Sequence, residues 1–273
     1  MAKRDKFKLL EAKAQWVRGE TLKIHGLAPE TRLASSLSAV EILTALYYGK
    51  ILKFKARDLD WVNRDRFIVS KGHGSIALYP ILADFGFFPK RELLKVCTED
   101  ALLGGIPDPI VPGYETVNGS LGHGLGVGSG IALALKVKKN KSSVFVLLGD
   151  GELYEGSVWE AIMFTGEHQL DNLIAIVDRN KICMLDYCKN ILDLDPLEDK
   201  FKAFKWDVQV VDGHSVGDIF KALKEFKSSK AHKPKLLIAD TVKGKGAPTL
   251  ENDPLCHIRS LSKEEVKRLI EAL

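Results

Sequence analysis

A carboxylate set between two glycines at the end of an apolar run is the first place in this chain where chemistry could sit. In "VFVLLGDGELYEGSVWEAI", Val144 to Ile162, apolar β-formers stop at Gly149-Asp150-Gly151-Glu152 and an amphipathic segment follows. That pattern reads as an interior strand ending in a tight loop that opens a helix, so the loop is a candidate ligand site. Asp150 stands just past this strand and Asn180 just past the next, "NLIAIVD", with a helical stretch between them. If the two strands lie close together in a parallel sheet, both side chains emerge at its carboxyl edge, where such sheets bind ligands. An Asp carboxylate, an Asn carbonyl and a nearby backbone carbonyl make part of an octahedral Mg²⁺ shell, which diphosphate oxygens and water can complete. Gly149 and Gly151 let the backbone approach a diphosphate, and the helix beginning near Leu153 presents N–H groups to it. An isolated Gly-Asp-Gly is more often a plain turn, so the surrounding sequence has to decide.

The elements that must position these residues alternate along the chain. An opening helix over about Lys6 to Ile24 carries Phe7, Leu10, Ala14 and Val17 near one face. A second is expected from Ser38 to Tyr48, with Ser38 and Glu41 forming a capping box. "DRFIVS" reads as a strand, "SIALYPILADFGF" as a helix, and "GSLGHGLGVGSGIALALKVKK" as a glycine-rich turn feeding a helix. "VFVLLG", "NLIAIVD", "WDVQVVDG" and "KLLIADTV" are strands; "SVWEAIMFTGEHQ" and Ser215 to Phe226 are helices. Near-continuous apolar strands alternating with helices predict an α/β fold, a doubly wound parallel sheet with helices on both faces. No repeat or linker divides the chain, so residues 1–273 are expected to form a single domain. Its polar, breaker-rich segment Lys243 to Ser260 is expected to be a mobile functional loop.

Bulk properties narrow the classes. The 273 residues are 45% hydrophobic, enough to bury a sizeable core. Forty Lys and Arg against 36 Asp and Glu leave a formal charge of +4, without the long basic run that nucleic-acid binding needs. The amino terminus has no apolar stretch suited to a signal peptide or a membrane span, which leads to the expectation of a soluble, cytoplasmic protein. Cys97, Cys183, Cys188 and Cys256 lack paired CxxC spacing and read as reduced thiols.

"GDGELYEG" followed by "WEA" and then "NLIAIVDRNKI" resembles the thiamine-diphosphate motif, which begins with Gly-Asp-Gly and ends about 30 residues later at Asn. More closely it resembles transketolase. "SLSAVEILTALYY", "DRFIVSKGHGSIALYPIL", "PGYETVNGSLGHGLGVGSGIALA" and "VKGKGAP" agree in order, from about residue 10 to residue 258. The resemblance implies that Asp150 and Asn180 bind Mg²⁺ with the backbone carbonyl of Ile182, and that Gly149 and Gly151 meet the diphosphate. It implies a cofactor and substrate role for His73 in "SKGHG" and backbone contacts to the cofactor at Gly119 and Leu121. Glu155 would join a carboxylate network linking paired active sites, and His257 in "DPLCHIRS" is a looser match to a substrate-side histidine. Glu152 is expected beside the cofactor, as a supporting group or as an acid favoured at a helix start. His123 could approach the cofactor or cap its helix. His25, His168, His214 and His232 read as surface or turn residues, and the four tryptophans as packing residues.

The likeness covers only the amino-terminal, diphosphate-binding half of a transketolase. In that family a glutamate on a second, pyrimidine-binding domain activates the cofactor. The resemblance therefore implies a split enzyme in which a carboxyl-terminal subunit supplies that domain, as an α₂β₂ heterotetramer, transferring a two-carbon ketol unit from a ketose to an aldose. Two departures bear on substrate. "TRLASSLSAVE" puts Arg32, and "GGIPDP" puts Ile106, where the family carries histidines. An isoleucine cannot hold a donor hydroxyl, whereas an arginine can pair with a carboxylate or phosphate, so a related carboligase using a 2-oxo acid donor is a second reading. The α subunit of a 2-oxo acid dehydrogenase and a non-catalytic scaffold subunit are further alternatives.

Overall fold

The computed structural model describes residues 3–117 and 119–273. Five strands, β1 (Arg66–Val69), β2 (Val144–Gly149), β3 (Leu173–Arg179), β4 (Asp207–Asp212) and β5 (Lys235–Asp240), form one wholly parallel sheet in the order β1-β2-β3-β5-β4. The helices are α1 (Lys3–Leu27), α2 (Leu33–Leu37), α3 (Val40–Tyr47), α4 (Leu78–Phe85), α5 (Gly124–Val137), α6 (Gly156–Glu167), α7 (Cys188–Ile191), α8 (Leu197–Ala203), α9 (Val216–Ser228) and α10 (Lys263–Glu271).

The central strands are apolar throughout because both their faces are covered. Successive strand residues point to opposite sides. Phe145, Leu147, Ile174, Ile176, Leu237 and Ala239 therefore pack on one face, against α1, α3, α4 and α9. Val144, Val146, Leu148, Leu173, Ala175, Val177, Leu236 and Ile238 pack on the other, against α5, α6 and α8. The expected α/β architecture with helices on both faces is what the chain adopts. β4 lies at the sheet's edge and is correspondingly half-exposed.

Local differences have local causes. The helix expected from Ser38 to Tyr48 forms over Val40–Tyr47, with α2 ending just before it, and its capping box does not form. The N-cap of α3 is Ala39, without a side-chain cap. Ser38 Oγ instead donates to the Asp178 carboxylate (2.7 Å), and Glu41 pairs with Arg18 and His214. The stretch before α4 is a tighter 3₁₀ turn over Gly72–Ala77. The segment after β5 is a series of turns in which Ala247, Leu250 and Cys256 are buried with Leu22, Leu33, Ile182 and Val266. The cysteines are free thiols. Among the described residues, no helix is long and apolar enough to cross a membrane.

Candidate functional site

β2 and β3 are hydrogen-bonded neighbours, with Gly149 in register with Asp178. Asp150 and Asn180 therefore leave the sheet side by side at its carboxyl edge. They line, with Ile182, Tyr187, Thr241 and Lys243, a cavity of about 580 Å³. Asp150 Oδ1 accepts from the Gly151 amide (2.8 Å), and Oδ2 from the amide of Lys181, the residue after Asn180. Two amides do not offset the loss of water. Burial, with the nearby Asp178 charge, pushes the Asp150 carboxyl up to about 6. Among the described residues Asp150 makes no ion pair, and the Lys243 ammonium only partly opposes the rise.

Those residues fit a hard cation in part. Asp150 and Asn180 offer oxygens, but the Asn180 side-chain oxygen also accepts from the Ile182 amide (3.3 Å). The Ile182 carbonyl already accepts from Lys243 Nζ (2.9 Å), which also reaches the Cys183 carbonyl (2.8 Å). Among the described residues, no three His, Cys, Asp or Glu side chains gather as a metal site. Oxygens from outside the protein, such as a diphosphate's, are needed to complete a shell there. Gly151 makes the cradle tight: a Cβ on it would stand 3.1 Å from Cys183 Sγ.

Glu152 faces inward and is buried. Its carboxylate accepts from Ser70 Oγ, the Gly122 amide (3.0 Å) and the Gly149 amide (3.2 Å). It joins the ends of β1 and β2 to the loop before α5, so its place is that of a positioning residue. Gly122 has φ +87, and a Cβ there would stand 2.7 Å from Glu155 Cβ, so this loop can close on Glu155 only through a glycine. Gly119 and Leu121 lie exposed on that same loop. Glu155 is also exposed, on the turn that starts α6. His123 stands at the start of α5 and makes no side-chain cap.

His73 and His257 come together although 184 positions separate them (257 − 73). Their rings meet edge to face with centroids 5.0 Å apart. Ser35 Oγ is 3.2 Å from His257 Nδ1, and Ser36 Oγ donates to the His73 carbonyl (3.1 Å), so α2 is the bracket for both. Burial, with Lys243, His73, Arg32 and Lys71 nearby, pushes His257 down to about 3; burial with Arg32, Lys243 and Lys71 also lowers His73. Both imidazoles are neutral at pH 7 and offer one donor and one acceptor each. Arg32 is half-buried at the start of α2. Ile106 is exposed on a loop beside Gly104.

Several residues of this region are not legible as chemistry in the sequence. Asp178 is fully buried and accepts from Lys71 Nζ, Ser38 Oγ and Thr241 Oγ1. Burial works to raise it, but the Lys71 ammonium and these three hydrogen bonds hold its carboxyl below the usual range. Lys243, also buried, has its amine lowered by burial and by Lys71. The sequence signals available were a lysine in "SKGHG" and another in "VKGKGAP", each beside an assigned motif residue. One histidine is corrected. His25 is wholly buried, within 3.0 Å of Thr31 Oγ1 at Nδ1, and accepts from the Leu261 amide (3.1 Å) at Nε2. His214 occupies a turn as expected, yet its ring is held between Glu41 (3.0 Å) and the Val242 amide (2.8 Å).

An all-parallel α/β sheet with a carboxylate, an amide and a glycine cradle at its carboxyl edge belongs to the class of α/β proteins that bind ligands at the ends of their strands. The comparisons specify the class. Residues 31–273 match the family described as "Transketolase, thiamine diphosphate binding domain". The chain is 37% identical over 265 residues to the 6-deoxy-6-sulfo-D-fructose transketolase subunit SqwG of Clostridium sp. (strain MSTE9), covering 97% of this chain and 96% of that one. It is 38% identical over 266 residues to an apulose-4-phosphate transketolase subunit of Actinobacillus succinogenes, covering 97% and 95%. The crystal structure of transketolase from Campylobacter jejuni superposes with a TM-score of 0.89 at 30% identity, covering 97% of this chain and 42% of that one. The chain belongs to the transketolase family, as its thiamine diphosphate-binding part.

Proposed function

We propose that this chain is the cofactor-binding subunit of a heteromeric, thiamine-diphosphate-dependent transferase that passes a two-carbon unit from a donor ketone to an aldehyde. The observation that carries the reading is the convergence of Asp150, Asn180 and Ile182 on one cavity at the carboxyl edge of the sheet. Asp150 and Asn180 would hold Mg²⁺ through their oxygens, with the Ile182 carbonyl joining once Lys243 yields it. Gly149 and Gly151 would admit the diphosphate, and Lys243 would face its charge. When bound, thiamine diphosphate would supply a carbon nucleophile for the donor carbonyl and a sink for the electron pair of the neighbouring C–C bond. His73 and His257, whose rings meet edge to face, would exchange hydrogen bonds with hydroxyl or carbonyl groups of the substrate. Gly119 and Leu121 would meet the cofactor from the loop before α5, and exposed Glu155 would reach a neighbouring subunit.

The partner reading rests on the relatives. Two full-length matches are named as transketolase subunits, while the chain spans 42% of the Campylobacter jejuni enzyme. A carboxyl-terminal subunit would supply the pyrimidine-binding domain and its activating glutamate, in an α₂β₂ assembly. The test is reconstitution with the product of an adjacent gene, followed by mass measurement and an assay for thiamine-diphosphate-dependent transfer to an aldose. Activity in the pair with none in either chain supports the reading; full activity of this chain alone contradicts it. A ketose is the proposed donor, and a 2-oxo acid is the alternative, since an arginine at position 32 can pair with a carboxylate.

A further inference from the structure

Lys243 follows β5 and lines the cavity together with Asp150, Asn180 and Ile182. Its side chain is buried, and its ammonium donates to two successive backbone carbonyls, those of Ile182 (2.9 Å) and Cys183 (2.8 Å). The turn behind it is tied down: the Gly244 amide donates to the Ala34 carbonyl of α2 (3.0 Å), and the Ala247 amide to the Gly244 carbonyl (2.9 Å). The loop in front is fixed as well, since the Lys181 amide donates to Asp150 and the Ile182 amide to the Asn180 side-chain oxygen (3.3 Å). That loop therefore turns its amides to the two side chains that offer oxygens and its carbonyls to one ammonium. The neighbouring buried lysine, Lys71, is neutralised by Asp178. Among the described residues Lys243 makes no ion pair and is held by the two carbonyls alone. A buried ammonium is ordinarily accompanied by an anion, so this one has room for an anionic ligand.

We infer that Lys243 is a positioning residue that stands in for the divalent ion on the Ile182 carbonyl and passes to the diphosphate when both are bound, so that metal and diphosphate load as a pair. This inference rests on the proposed function and deepens it. A divalent ion and an ammonium on one carbonyl oxygen are like charges at close range in a site poor in water, and they repel. Metal alone must therefore displace Lys243 and leave a buried ammonium without its acceptors, which is unfavourable. A diphosphate relieves that penalty, because its oxygens accept from the displaced ammonium in charge-assisted hydrogen bonds. Each ligand then raises the affinity for the other by the same factor. Before either arrives, the lysine holds the loop after β3 in place, with the Ile182 and Cys183 carbonyls turned to a single point.

The experiment uses the reconstituted assembly, native and with Lys243→Met or Lys243→Gln. Mn²⁺ is the probe, since it takes oxygen ligands as Mg²⁺ does, and the free ion is followed by electron paramagnetic resonance with and without thiamine diphosphate. In the native protein thiamine diphosphate is expected to tighten Mn²⁺ binding by about tenfold or more. Lys243→Met is expected to bind Mn²⁺ alone about tenfold more tightly than the native protein, and thiamine diphosphate about tenfold more weakly. Loss of a merely structural tie would weaken both. Lys243→Gln keeps a donor for the carbonyls and drops the charge, so it should show the same pair of opposite changes. Weaker binding of both Mn²⁺ and cofactor in the two variants, or no change in either, overturns the inference and leaves the proposed function standing. Native Mn²⁺ affinity that is indifferent to thiamine diphosphate, with the cofactor bound, overturns it as well. Failure of the native assembly to bind thiamine diphosphate at any Mn²⁺ concentration overturns both the inference and the function on which it rests.

Discussion

Buried charge is what organises the region at the scale of single residues. Asp178 is the acceptor on which Lys71, Ser38 and Thr241 converge, and those three come from the turn after β1, the turn between α2 and α3, and the residue after β5. Removing one member of a buried ion pair leaves the other uncompensated, which costs about 3 kcal/mol or more. Asp178→Asn is therefore expected to lower the unfolding free energy from urea titration by that amount at an unchanged m-value; a loss within about 0.5 kcal/mol, the size usual for surface changes, would contradict the assigned role. The sequence made Asp150 and Asn180 legible because both follow apolar strands, where a polar residue stands out. Asp178 was hidden, since "NLIAIVD" gives no sign that its last residue is still inside the sheet. Glu152 was legible as an acid at a helix start, but its three inward donors come from residues far apart in the chain.

Elements were legible where one periodicity ruled. The β-strands matched because a wholly buried strand is apolar along its length, and α9 matched because one face alone is apolar. The helix expected over Ser38 to Tyr48 fails at its start because Ser38 and Glu41 have stronger partners in Asp178 and Arg18 than in each other. Conversely, α10 does open with the Ser262 and Glu265 capping box that "SKEE" permits. That helix is tied back to α1 by His25, whose Nε2 accepts from the Leu261 amide just before it. Burial lowers the His25 pKa from its ordinary 6.5. The folded state therefore binds fewer protons there than the unfolded chain, so this contribution is complete above about pH 6.5 and is lost as pH falls further. Unfolding free energies measured from about pH 7.5 to about pH 5 should fall with pH, and His25→Gln should flatten part of that slope. An identical slope in the variant would show that the imidazole does not titrate with unfolding.

At the scale of the whole molecule, the parallel sheet delivers loop ends from β1, β2, β3 and β5 to one edge, and α2 and the turns after β5 close over them. Distant stretches of sequence thereby meet: "TRLASS", "SKGHG", "GDGE", "RNKI" and "DPLCHIRS". Family resemblance made most of that assembly readable in advance, because each motif could be placed without knowing the contacts. The Arg32 surroundings and the grip of Lys243 on the Ile182 carbonyl depended on packing between separate segments. The proposed function requires the carboxyl edge to hold a metal-bridged diphosphate through Asp150. The most direct test is calorimetric titration of thiamine diphosphate into the reconstituted assembly, with Mg²⁺ and with EDTA, for the native protein and Asp150→Ala. Saturable heat that requires Mg²⁺ and falls by about a hundredfold in affinity in Asp150→Ala is the predicted result. Binding of equal strength with EDTA, or in Asp150→Ala, would contradict it.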